Sequence, residues 1–223
     1  MALVKELIQQ HFGSGPILKA LIEKMGFISI IDRNLPADPR RVGPTHGEAV
    51  AGMVACLLQG IRALYRMEQF AVEEPVLRTL FPQYDAQAWH DDHLGDTLDA
   101  MWAFGPGALQ GAVTAQLLDS FSVRVDQIHY DTTSFKVFGR YDAVDEPVEA
   151  PETGEAVPLD EPAPARLPVR LVPGHSKDHR PDLSQVKGGL AVSADGGVPL
   201  LWEAQDGNRA DVSTYVEYWL KVQ

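Results

Sequence analysis

The stretch Ile128-His-Tyr-Asp-Thr-Thr-Ser-Phe135 holds one carboxylate, Asp131, inside a run of β-branched and aromatic residues. Such a run predicts a strand. Alternation then puts Asp131 on the face of His129 and Thr133, opposite Tyr130 and Thr132. A carboxylate is costly to hold away from water without a partner, so Asp131 is a candidate to bind a cation or a donor. Its plainest use is local: accepting the backbone N–H of Thr132 or Thr133 in a turn. Farther on, Lys177, His179, Arg180 and Lys187 form the densest basic cluster. It suits DNA phosphates and equally suits pairing with Asp178 and Asp182. His90 and His93 bracket two aspartates at a spacing that makes them helical neighbours. A metal site needs a full ligand set, and Asp91 or Asp92 as a helix N-cap accounts for the acids without one. Arg40, Arg41, Arg62 and Arg66 mark a candidate DNA-facing side, and Cys56, in an apolar run, reads as core.

These residues need elements to position them. Residues 1–121 read as helical. Ile17, Leu18, Leu21, Ile22 and Met25 recur at helical spacing, with Pro16 at the start and Gly26 after the end. Thr45 and Glu48 have the spacing of a capping box ahead of Val50, Met53, Val54, Leu57 and Leu58. One or two helices follow over 64–80, broken near Pro75. Another carries Leu94, Leu98, Met101 and Trp102, and a last one runs over 108–118. From 122 the pattern changes to strands: 123–138, then 188–194 and 198–203 around the turn Asp195-Gly-Gly197. Pro199 belongs at a strand start or an edge. A turn at Asp206-Gly-Asn208 precedes a helix capped by Asp211 or Ser213, with Tyr215, Val216, Trp219 and Leu220.

The formal net charge is −12 and the pI about 4.9. That balance argues against coating nucleic acid or anionic membrane by bulk charge, and leaves a local basic site open. Residues 142–168 hold six prolines and eight acids against one base, net −7, so more than half of the acidity belongs to one loop. The single cysteine indicates a reducing compartment. No secretory signal opens the sequence. The longest apolar stretch, 49–58, is about half of the ~20 residues a membrane span needs.

The ordered set of motifs resembles bacterial insertion-sequence transposases of the DDE type, in the branch that joins a helical N-terminal domain to an Asp-Thr-Thr-Ser-Phe strand. The matching residues are Asp131-Thr-Thr-Ser-Phe135, Ser176-Lys-Asp-His-Arg-Pro-Asp-Leu183, Gly196-Gly-Val-Pro-Leu200 and Asp206-Gly-Asn208. Gly15-Pro-Ile-Leu18, Arg33-Asn-Leu35 and His46-Gly-Glu-Ala-Val50 precede them. The resemblance implies a ribonuclease-H-like core in which three carboxylates hold two magnesium ions for in-line phosphoryl transfer. Asp131 matches the first carboxylate and would be a catalytic and metal-binding residue.

In the family the second aspartate and the glutamate lie beyond the helix that begins near Asp211. Asp178, Asp182, Asp195, Asp206 and Asp211 do not match them. The expectation is therefore an α+β chain. A helical, DNA-binding domain over 1–121 leads into an incomplete ribonuclease-H-like mixed sheet over 122–223, the N-terminal part of a transposase without strand transfer of its own. Its expected partners are DNA at the element ends, a second copy, or a complementing C-terminal chain. The expected location is the bacterial cytoplasm, at the nucleoid and away from membrane. The alternative is a non-catalytic DNA-binding or dimerisation module.

Overall fold

Helix α1 (Gly15–Met25) starts with proline in its first turn and stops at Gly26, whose φ of 61° lies in the left-handed region. That residue also opens α2 (Phe27–Asn34), so two helices meet at one glycine. Helix α3 (His46–Leu58) begins at a complete capping box. The Thr45 side chain accepts the Glu48 N–H, and the Glu48 carboxylate accepts the Thr45 N–H at 2.9 Å. A 3-10 turn at Leu64–Arg66 leads into α4 (Met67–Glu73). Pro75 then starts α5 (Pro75–Leu80), the break that its missing N–H requires. A second 3-10 turn, Ala86–Trp89, precedes α6 (Asp91–Phe104), and α7 (Pro106–Phe121) follows.

The computed structural model describes residues 13–36, 39–61, 63–138, 169–174 and 183–209. The loop read at 142–168 and the helix read beyond Asp211 lie outside them. Contacts divide the chain into two units, 1–105 and 106–223. The sequence change at 121 is therefore not the contact boundary: α7 falls with the sheet, packing on β4 (Pro199–Asp206), where Thr114 Oγ1 donates to the Pro199 carbonyl at 3.2 Å. The class is α+β.

The first unit has its core among α1, α3, α4, α5 and α6. Trp89 is its largest fully buried side chain, 1% exposed, with Phe81 and Tyr84 rings 5.3 and 6.2 Å away. The Trp89 ring lies directly on the backbone of α3 at Gly52. A β-carbon there would overlap the ring.

The second unit is built on β3 (Ser184–Ser193), which pairs antiparallel along one edge with β1 (Ile128–Lys136). Its other edge takes β4 and the short β2 (Val172–Pro173), end to end. Arg170 ties these two together: its N–H and guanidinium donate to Asp206 at 2.9 and 3.0 Å. That backbone bond, above all, holds the Asp206 carboxyl below its ordinary value. The β3–β4 turn is sealed by Ser193, which accepts the Val198 N–H and donates to the Asp195 carbonyl. Pro199 starts β4 beside a register shift at Ala191/Val192. Every pairing is antiparallel, so the parallel member of a mixed sheet is not among the described residues. No helix among them is long and apolar enough to cross a membrane.

Filling the Gly52 contact should overpack the first unit. Gly52→Ala is expected to destabilise the protein by about 1–3 kcal/mol, visible as a lowered thermal midpoint. An unchanged midpoint would show that Trp89 can move aside at no cost.

Candidate functional site

Asp131 sits at the middle of β1, opposite Leu190 on β3, which in turn pairs with Trp202 on β4. Alternation places His129, Asp131, Thr133 and Phe135 on one face, and all four are exposed. The opposite face carries Thr132, Gln185, Lys187, Ala191, Ser193 and Gln205, all buried. The sheet thus covers a largely polar side and shows solvent an apolar one, with Phe135, Leu190 and Trp202 at 49, 38 and 46% exposure. Phe135 and Trp202 converge over Gly188, whose missing side chain lets both rings lie against bare backbone.

The Asp131 carboxylate accepts the N–H of the next residue, Thr132, at 2.8 Å through Oδ1. This is the local bond that residue type alone predicts, formed within a strand rather than at its end. Asp131 belongs to no group of three or more histidines, cysteines, aspartates or glutamates, because no such group is present among the described residues. The donors there do not fit a two-metal centre. They supply one carboxylate, with one oxygen already engaged by backbone.

Of the basic cluster, one member falls among the described residues. Lys177, His179 and Arg180 lie outside the described residues. Lys187 is on the face opposite Asp131, 7% exposed, with Nζ donating to the Arg209 carbonyl at 2.7 Å. Strand alternation turns it inward, so it is held by backbone rather than presented at the surface. Asp195 and Asp206, which do not match the family's catalytic positions, are engaged structurally by Arg124 and Arg170.

The first unit holds a denser polar constellation than the sequence revealed. The N-cap of α6 is His90, not Asp91 or Asp92: its Nδ1 accepts the His93 N–H at 3.2 Å. Both aspartates occupy the first turn, where negative charge suits the helix dipole. His93, 6% exposed, faces inward to Arg41, and its ring meets that of His90 edge-on at 5.6 Å. Arg41 in turn is half-buried against α6. Its Nη2 reaches Thr97 Oγ1 and His93 Nε2, each at 2.8 Å, and its Nε donates to the Pro44 carbonyl at 3.0 Å. Thr97, fully buried, also meets His46 Nδ1 at 3.0 Å. Asp32 of α2 caps the same corner, accepting the Gly47 N–H at 2.7 Å and the Thr45 hydroxyl at 2.9 Å. Tyr84 and Gln83 donate to Glu48. Burial first, and then the Arg41 charge, hold His46 and His93 below the ordinary 6.5, and the Pro44 carbonyl partly offsets this for His93. Burial pushes the Cys56 thiol up to about 12, which suits a core residue and not a nucleophile.

A family model described as a domain of unknown function, DUF4277, matches residues 7–115. The match covers almost all of the helical unit and includes the whole constellation from Asp32 to Thr97. No curated protein and no solved structure gives a significant match.

Two outcomes follow from this geometry. Unfolded imidazoles take up protons as pH falls through about 6.5, whereas the buried pair resists, so the stability present above that pH is lost on acidification. The thermal midpoint should therefore drop between about pH 7.5 and about pH 5.5; a flat or rising midpoint would contradict it. Asp131→Asn keeps the oxygen that accepts the Thr132 N–H on an exposed face. It should stay within about 0.5 kcal/mol of the parent in denaturant unfolding, and a larger loss would give Asp131 a structural role.

Proposed function

We propose that this chain is part of an insertion-sequence transposase: a helical domain that engages the element's DNA ends, followed by the first strands of a catalytic core. The observation that carries the proposal is Asp131 itself. A strand that matches the family's first-aspartate motif residue by residue holds its carboxylate exposed at mid-strand, on a sheet margin that takes no further strand among the described residues. A strand added there would lie about 4.8 Å away and bring its own side chains level with Asp131, which is where a second carboxylate is needed. The described residues supply one carboxylate, so DNA cleavage would draw the remaining ones from outside them, in the same chain or in a complementing one. Magnesium is the ion such oxygen ligands would hold.

A second reading takes the helical unit, which the family model matches over 7–115, as a module that binds DNA or dimerises without chemistry. Not every face of it suits DNA. Asp91, Asp92, Asp96 and Asp99 line an open groove on α6 that repels phosphate.

The test is binding to duplexes carrying the terminal inverted repeats that flank the gene, followed by fluorescence anisotropy. The expected result is a preference over a scrambled duplex and weaker binding by Lys177→Glu/Arg180→Glu, with a shallower salt dependence. Equal affinity for both duplexes would overturn the DNA-end reading. With magnesium, this chain alone should leave the repeat duplex uncut, and clear turnover would show that its own residues complete the site.

A further inference from the structure

His93 Nε2 has two partners that require it to be in different states. Arg41 Nη2, 2.8 Å away, can only donate, so it needs a bare, accepting nitrogen. The Pro44 carbonyl, also 2.8 Å away, can only accept, so it needs Nε2 to carry a proton. In the neutral ring protonated on Nδ1, Nε2 takes the Arg41 bond, and Pro44 keeps the Arg41 Nε–H at 3.0 Å as its donor. A second proton on the ring must sit on Nε2. It finds Pro44 already in place and confronts the guanidinium donor-to-donor and charge-to-charge.

We propose that His93 is a proton-operated clasp on the connection between α2 and α3: neutral, its Nε2 shares Arg41 with Thr97 and the His93 carbonyl on α6; protonated, it turns to Pro44 and repels the guanidinium. One proton is taken from solvent and no covalent bond changes.

The surroundings determine how the proton acts. The titratable and charged groups facing His93 and Arg41 are His46 from α3, Asp32 from α2, and His90 and Asp96 from α6. Asp32 is already engaged by Thr45 and Gly47. His46 reaches Arg41 only through Thr97, so the ring in direct contact with the guanidinium is that of His93. Release frees an anchor that spans α6 and the residues just ahead of the α3 cap, and it uncovers Arg41 beside the exposed Arg40.

The clasp is read by side-chain ¹⁵N NMR on the full chain from about pH 7.5 to about pH 5.5. At the upper end His93 should be the Nδ1–H tautomer and Arg41 Nε–H a slowly exchanging signal. On acidification the ring should titrate, and the protected Arg41 signal should be lost at the same midpoint, although base-catalysed exchange of a free arginine slows over that range. In His93→Gln, whose amide oxygen can still accept from Arg41, the Arg41 signal should persist throughout. An Nε2–H tautomer in the parent at neutral pH would overturn the proposal. So would an Arg41 signal that ignores the His93 titration, or one that is lost identically in His93→Gln. The tautomer is read on the parent protein, so the test stands even if the variant does not fold.

Discussion

The first turn of α3 is where the helical unit is decided. A helix leaves its leading N–H groups without partners, and here they start in the interior, with His46, Gly47, Ala49 and Val50 all buried. Water cannot serve them, so side chains must. Thr45 and Glu48 cap reciprocally, Asp32 comes across from α2 to take Gly47 and Thr45, and Tyr84 and Gln83 hold the outer side of Glu48. His46 reaches through Thr97 to Arg41 and His93. One buried helix start thus fixes the angle at which α2, α6 and the residues around Tyr84 meet α3. Removing Asp32 would leave the buried Gly47 N–H unsatisfied, at a cost of about 1–3 kcal/mol.

The sheet obeys a different constraint. β3 is the strand that every other strand pairs with, so its register sets what each face shows. That register puts Lys187, Gln185 and Ser193 inward, and puts Asp131, Phe135, Leu190 and Trp202 outward. A one-residue slip would exchange the two sets. The hairpin seal at Ser193 and the Arg170–Asp206 clamp, at opposite ends of β4, hold the strand against slipping. The exposure of Asp131 is therefore a consequence of turn chemistry some sixty residues away in the sequence, a separation visible in the pairing itself.

What could be read in the sequence was local. The capping box at Thr45–Glu48, the break at Pro75, the turn around Asp195 and the placement of Pro199 each depend on a few adjacent residues, and each is found. Helix α2 was missed because a single residue, Gly26, separates it from α1, and that glycine read only as a stop. His90 was passed over as a cap because carboxylates are the commoner acceptors, yet the imidazole nitrogen stands one residue earlier, where the N-cap must be. Arg41 looked like surface charge because its acceptors on α6 lie some fifty residues away. Lys187 was read as part of a phosphate-facing basic cluster, whereas strand alternation turns it inward to the Arg209 carbonyl. Two-residue β2 has no periodicity to detect and is defined by its pairing with Ser184 and Gln185 of β3.

The two units leave the proposed chemistry unevenly supported, and the reason is physical. Asp131 is exposed and accepts one backbone N–H, that of Thr132. It belongs to no cluster of carboxylates among the described residues. The helical unit shows the reverse arrangement, with the Arg41 cation held directly against the His93 ring and linked to His46 through Thr97. A carboxylate waiting for partners can be completed by adding a strand at the margin of β1. A filled polar cluster can only be changed by moving a proton or a side chain. Assembly is thus the natural control point for the sheet, and protonation for the helices.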